Sequence, residues 1–319
     1  MDFYGVADYL TNPALLFFIL GLIGAQLKSD LEIPQTSSKF IALYLLLSIG
    51  FKGGQELSHS DWGPDIFWAL ALGLFLAILV PIYTFFILRS RFSYANAGAI
   101  AAAYGSVSAV TFVTAVSFLE MKAIPFGGHM VAVMALMEAP SIIVGVFLMY
   151  YFSKQTSRVP FNGIAKHSLF NGSVVLILGS LIIGFVASDA QADGIKPFTT
   201  DIFKGFLAVF LLDMGITSGK KIGSLLKQGW FALAFAILIP LLNGCLVAVV
   251  SGMFLNGIGD RFLLAILAAS ASYIAVPAAM RMAAPQANPG LYLPMALAIT
   301  FPFNITLGMP LYMFLVQWN

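Results

Sequence analysis

The sequence predicts an all-α membrane protein with ten transmembrane helices in two inverted five-helix repeats, two of the helices being broken and crossing. Three observations carry that expectation. Hydrophobic residues make up 60% of the 319 positions and charged residues 9%, with a mean hydropathy of +0.94, which leaves too little polar surface to solubilise a globule. The apolar runs are close to the ~20 residues that a hydrocarbon core demands. The chain also repeats itself at a nearly constant spacing. Ser106-Val107-Ser108 returns as Ser270-Ala271-Ser272, Ile49–Gly54 as Met214–Gly219, and Glu138-Ala139-Pro140 as Thr300-Phe301-Pro302.

Charges, Gly/Pro clusters and amide-rich breaks divide the chain into spans. Pro13–Leu27 stops before Lys28, and Ser38–Gly54 follows the polar stretch after it. Pro64–Leu88 ends before Arg89 and Arg91, Ala95–Leu119 ends before Glu120 and Lys122, and Gly128–Phe152 closes the first half. Ser168–Ser188, Phe203–Gly219, Trp230–Leu255, Phe262–Met282 and Gly290–Trp318 form the second. Residues 1–152 and 168–319 are thus the two repeats, joined by a short cytoplasmic linker, 153–167. An odd number of crossings per copy inverts the second relative to the first, which is an architecture of secondary transporters. No cleavable signal stands out at the acidic N-terminus.

Basic residues set the orientation. With the N-terminus outside, the inward side holds Lys28, Lys39, Arg89, Arg91, Lys154, Arg158, Lys166, Lys220, Lys221, Lys227 and Arg281. The outward side or span ends hold only Lys52, Lys122, Lys196, Lys204 and Arg261. This positive-inside bias predicts a multi-pass protein of the plasma or inner membrane with both termini outside. Trp62, Trp68, Trp230 and Trp318 fall near span ends, as an interfacial aromatic belt requires.

Several function classes drop out. The scattered basic residues form no nucleic-acid patch. No phosphate-binding glycine loop ending in Lys-Ser/Thr is present, which argues against an ATP-driven pump. Cys245 is the only cysteine, so no intrachain disulfide forms and the residue reads as packing. His59, His129 and His167 are too dispersed for a metal site beyond sodium. No nucleophile–base pair or metal triad appears within the spans, so no enzyme is expected. Glu120 with Lys122, and Asp260 with Arg261, read as solvated loop charges.

Chemistry is expected in the fourth and ninth spans. Around Tyr104-Gly105-Ser106-Val107-Ser108 and Ala268-Ala269-Ser270-Ala271-Ser272, small hydroxyl residues replace bulky apolar ones. Gly105 loosens the first helix, and Pro277 breaks the second by removing an amide donor. Breaks at mid-membrane survive only where they line a polar cavity. Their N-terminal ends suit an anion and their carbonyl ends a cation such as sodium. Serines also serve plain helix packing, but recurrence at equivalent places in both halves favours a substrate cavity. The candidate coupling residues are Glu138, Thr300, Asn304 and Asp213, polar groups inside spans where an ionised carboxylate is costly without a partner. For Asn243 the default is an interhelical hydrogen bond.

Tyr104–Thr111, Glu138–Pro140, and Ala268–Pro277 followed by Ala287–Pro289 resemble the sodium-dependent bicarbonate transporters of the cyanobacterial SbtA type, over almost the whole chain. The resemblance implies a core domain moving against a gate domain, a homotrimer in the lipid bilayer, and sodium-coupled symport of bicarbonate by an elevator-type mechanism. No cofactor is implied beyond sodium as coupling ion, and a PII-like cytosolic regulator is a possible partner. The anion would lie between the two serine-rich tips, at Gly105, Ser106, Val107, Ser108 and Thr111 of the first and Ser270, Ala271, Ser272 and Tyr273 of the second. The chain departs from the family pattern where three serines and an aspartate become Ser270-Ala271-Ser272-Tyr273, where the aspartate before proline becomes Glu138, and in its short central linker. The alternative is a proton-coupled organic-anion transporter or antiporter using Asp213 or Glu138. A passive channel is a further alternative.

Overall fold

The computed structural model describes residues 11–60, 62–153, 170, 172–226 and 228–318. The linker beyond Ser153, with Lys154, Arg158, Lys166 and His167, lies outside them, as does Lys227. Among the described residues the regular structure is entirely helical. In chain order the helices are α1 (Pro13–Gln26), α2 (Gln35–Ser58), α3 (Pro64–Leu88), α4 (Tyr94–Gly105), α5 (Ala109–Met121), α6 (His129–Ser153), α7 (Gly172–Val186), α8 (Asp189–Lys196), α9 (Phe203–Leu226), α10 (Trp230–Val250), α11 (Ile258–Ala269) and α12 (Ala275–Ala283). The last, α13 (Pro289–Trp318), passes through two wider π-type turns at Met295–Thr300 and Asn304–Gly308.

Local chemistry sets the boundaries. Asn12 and Asn288 each accept an amide hydrogen bond just before a proline-initiated helix, and the Ser93 hydroxyl caps α4. A side-chain oxygen there satisfies an amide that the helix cannot, and proline at the first position has no N–H to lose.

Six segments are long and apolar enough to cross a membrane: Pro64–Leu88, Tyr94–Met121, His129–Ser153, Asp189–Gly223, Trp230–Met253 and Pro289–Trp318. Pro13–Gln26 and Gly172–Val186 are shorter apolar helices. The two most apolar of these segments are the least buried. Pro64–Leu88, with a hydropathy of 2.5, is only 33% buried, whereas Tyr94–Met121, at 1.7, is 94% buried. Phe67, Phe75, Ile182, Leu242 and Leu246 stand exposed on outer faces. Apolar groups turned outward around a more polar interior fit a lipid surround, in which association relies on close packing and polar contacts.

Two groups of helices can be distinguished: α1, α2, α7 and α9, whose tightest packing is pairwise within the group, and α3, α4, α5, α6, α10, α11, α12 and α13; they meet where α9 packs on α13 and where α6 packs on α2 and α7. In the first group the partners are exchanged: α1 packs on α9, and α7 packs on α2. Glycines make both contacts possible. A Cβ added at Gly21 would lie 2.2 Å from the Leu212 oxygen, and one at Gly215 would lie 2.1 Å from the Phe18 oxygen. On the other pair, a Cβ added at Gly54 would lie 2.1 Å from the Leu181 oxygen and one at Gly184 2.1 Å from the Phe51 oxygen. Small residues at such crossings let two backbones approach directly.

Two expectations fail at the ends of these helices. Asp260 and Arg261 are not solvated loop charges: they are 8% and 7% exposed, in the first turn of α11. The Gly127 amide donates to Asp260 Oδ1 at 2.6 Å, and His129 Nε2 lies 3.6 Å from Oδ2. Glu120 is not a loop charge either. Sitting in the last turn of α5, it pairs with Lys52 of α2 and so joins the two helix groups. A carboxylate so placed exchanges water for a fixed donor, which sequence spacing does not reveal.

Candidate functional site

The two broken helices cross at their breaks. The first runs through α4, pauses at Ser106–Ser108 and resumes as α5; the second runs through α11, pauses at Ser270–Ile274 and resumes as α12. α4 packs with α12 and α5 with α11. The two breaks are tied to each other: the Ser108 N–H donates to the Ser270 side-chain Oγ at 3.0 Å, and the Ser272 N–H donates to the Ala103 backbone oxygen at 2.8 Å. Ser106, Ser108, Thr111, Ser270 and Ser272 are all buried.

Sequence placed the second break at Pro277, and the structure moves it. Pro277 is the third residue of α12, where a missing N–H is harmless, so the proline starts a helix instead of cracking one. Gly105 is the last residue of α4 and lies against Pro81, whose Cδ would be 2.4 Å from an added Cβ.

The exposed helix ends are satisfied unevenly. Around the first break, the Ser106 N–H donates to the Ala102 oxygen at 3.0 Å, and the Ser141 hydroxyl donates to the Gly105 oxygen at 2.6 Å. Ser108 caps α5, its hydroxyl accepting from the Thr111 N–H at 3.2 Å. The Ser106 hydroxyl makes a long contact, 3.5 Å, with the Glu138 backbone oxygen. At the second break, Ser270 Oγ donates to the Leu267 oxygen at 3.0 Å, Asn243 to the Ala268 oxygen at 3.2 Å and Asn304 to the Ala269 oxygen at 2.7 Å. α12, however, begins after Ile274 without any capping side chain.

A small cavity of about 20 Å³ lies at the crossing, lined by Val107, Ser108, Ala109, Glu138, Ser173, Ser272, Tyr273, Ile274 and Ala275. That volume admits about one water. Of the expected anion-site residues, Val107, Ser108, Ser272 and Tyr273 line it; Gly105, Ser106, Thr111, Ser270 and Ala271 stand behind, shaping the tips. The Tyr273 hydroxyl is buried beside Ser108, without a hydrogen bond of normal geometry.

The coupling candidates separate. Glu138 lines the cavity. Thr300 and Asn304 are not among its lining residues: the Thr300 hydroxyl donates to the Ala236 oxygen at 2.7 Å and accepts from Tyr104 at 2.8 Å, while Asn304 donates to the Ala269 oxygen. Asp213 belongs to α9, in the other helix group, where the Ser38 hydroxyl donates to it. Asn243 makes the interhelical bonds expected of it, accepting from Tyr83 at 2.5 Å besides donating to Ala268.

Sequence reasoning missed Ser141, Ser173 and Ser38. Ser141 was within reach, since it directly follows the Glu138-Ala139-Pro140 motif. Ser38 and Ser173 carry no local signal, because long-range packing brings them in.

A family model described as the Na+-dependent bicarbonate transporter superfamily matches residues 13–317, nearly the whole chain. A search of curated proteins finds no match. The family is one of transporters, so this is a multi-pass membrane transport protein and not an enzyme. With the crossing helix breaks and the match over residues 13–317 together, the chain belongs to the Na+-dependent bicarbonate transporter superfamily.

Proposed function

We propose that the protein is a sodium-coupled symporter of bicarbonate or a similarly small monovalent anion, with the anion held at the crossing of the two broken helices. The observation that carries this reading is the meeting of α5 and α12 N-termini at a buried, hydroxyl-lined cavity. Helix N-termini carry partial positive charge and unpaired amides, so an oxyanion gains there what lipid cannot supply. Sodium, as co-substrate, offsets the anion's charge, and the neutralised pair crosses a low-dielectric barrier more readily than either ion alone. Glu138, in the cavity wall, is the side chain best placed to attract it.

Ten crossings in two inverted repeats underlie the site in this reading. The exchanged packing of α1 on α9 and α7 on α2 supports it, as does the pairing of α4 with α12 and α5 with α11. Alternating access then moves the larger helix group, as core, against the smaller, as gate. A space for about one water is too small for bicarbonate, so the groups must part to admit it. Both termini lie outside, and three copies assemble. Glu138 favours one second reading, proton coupling, because a buried carboxylate at the cavity can carry a proton.

Uptake of labelled bicarbonate into liposomes, with an imposed sodium gradient or an imposed pH gradient, tests both. Sodium-driven accumulation is expected. Ser108→Ala and Ser272→Ala should each slow it without preventing insertion, and unchanged uptake in both variants would refute the site. Uptake that follows pH alone would select the proton-coupled reading.

A further inference from the structure

Among the described residues, the Tyr273 hydroxyl is one of five buried side-chain polar atoms without a hydrogen bond of normal geometry, and it is the one that lines the cavity at the crossing. It is buried, on a residue 9% exposed, and with Ser108 beside it makes no hydrogen bond of normal geometry. Its ring is well anchored, edge-on to Phe301 at 6.2 Å, and Phe301 in turn meets Phe18 of α1 at 5.7 Å. A fixed ring with an unused donor loses stability unless something accepts the bond. The residue lines the cavity at the crossing, immediately ahead of the uncapped start of α12. Pro277 has no N–H, so the free amides of that helix are confined to its very first residues, beside Tyr273.

We infer that Tyr273 is a specificity-determining, substrate-contacting residue: its hydroxyl donates to one oxygen of the transported anion while the first amides of α12 face another. The inference rests on the anion site proposed above and makes that site asymmetric. The second break recognises the ligand. The first break, with Ser108 already capping α5 and Ser141 already holding Gly105, supplies a rigid wall. The ligand class is a small monovalent oxyanion, since a single phenolic donor next to amide N–H groups matches acceptor oxygens set at trigonal angles. The aromatic contacts run from Tyr273 through Phe301 to Phe18, so the side chain that reads the anion is one ring removed from the boundary between the two helix groups.

The test compares full-length protein with its Tyr273→Phe variant, which keeps the ring and loses only the hydroxyl. Two readouts are taken: sodium-driven bicarbonate uptake in liposomes, and thermal stabilisation in detergent by bicarbonate, formate or nitrate. Tyr273→Phe should raise the KM for bicarbonate about tenfold with little change in maximal rate, as loss of a bond to a charged ligand does. It should also remove most of the anion-induced stabilisation while leaving the melting temperature without anion near that of the parent. An unchanged KM together with unchanged stabilisation overturns the inference, and if the parent still accumulates bicarbonate on a sodium gradient the transport reading survives. Absence of sodium-driven uptake in the parent, with stabilisation by an oxyanion lost in Tyr273→Phe, keeps the contact and removes the transport reading. Tyr273→Met, a second hydroxyl-free variant with a more pliable side chain, is measured in the same way if Tyr273→Phe does not fold.

Discussion

At the first helix break the chain supplies its own partners on both sides of the gap, whereas at the second it does so on one side only. The carbonyl end of α4 is held by Ser106, Ser141 and the incoming amide of Ser272, and the amide end of α5 is capped by Ser108. The carbonyl end of α11 is equally well held, by Ser270, Asn243 and Asn304, but α12 opens without a cap and beside the Tyr273 hydroxyl, which makes no hydrogen bond of normal geometry. Near-identical Ser-x-Ser motifs therefore end in different physical states. Capped, a break is a scaffold; uncapped, it has hydrogen-bonding capacity left for a ligand. The outer ends differ as well. α5 reaches across to the other helix group through Glu120 and Lys52, while α11 is tied within its own group through Asp260 and Gly127.

The contrast can be broken most directly at Gly105. Its counterpart in the second tip is Ala269, so a methyl group is tolerated there, but at Gly105 it would collide with the ring of Pro81. Gly105→Ala should cost about 3 kcal/mol, the upper range for forced overpacking, read as a lower melting temperature in detergent. A neutral result would mean that the first tip is not rigidly packed. Ser141→Ala and Asn304→Leu each remove the donor from one exposed carbonyl end. About 1–3 kcal/mol is expected from either, because a buried acceptor is left without its partner. Similar losses would show that both carbonyl ends are scaffold; a loss at only one would redraw the comparison.

Smaller effects sharpen it. Ser108→Ala should cost about 1 kcal/mol, the usual value of an N-cap, whereas Ser272→Ala, which removes no cap, should leave thermal stability nearly unchanged. Lys52→Gln should change stability by no more than about 1 kcal/mol, since the ion pair it breaks is partly exposed. Its effect belongs to the boundary between the helix groups. A cavity of about 530 Å³ lies beside the pair, with Ala123 in its wall, so a cysteine introduced at Ala123, with Cys245 replaced, should react faster with an impermeant maleimide once Lys52 is neutralised. The exchange Lys52→Glu with Glu120→Lys should return the rate toward that of the parent.

Much of the architecture was legible in the chain because membrane proteins write it in coarse terms. Long apolar spans, terminal prolines and the doubled Ser-x-Ser marked the helices and both breaks, since each depends on local backbone chemistry. Serines near a break identified the crossing. What they could not identify was division of labour: Thr300 and Asn304 look like ligands in sequence and are bound to carbonyls in the fold, and Asp260 looks like a loop charge and is enclosed. Pro277 misled for a related reason, because proline marks either a kink or a start and only the helix register separates them.

By itself the sequence determined a helical membrane protein, that two of its helices are interrupted and which hydroxyl residues accompany the interruptions, because hydropathy and small polar motifs act over a few neighbouring residues. Only the tertiary structure decided which of those polar residues are already spoken for. The hydrogen bond from Asn304 to Ala269 joins residues 35 positions apart, and that from Ser38 to Asp213 joins residues 175 apart, and whether a buried group still has capacity for a ligand depends on every partner that folding brings within reach.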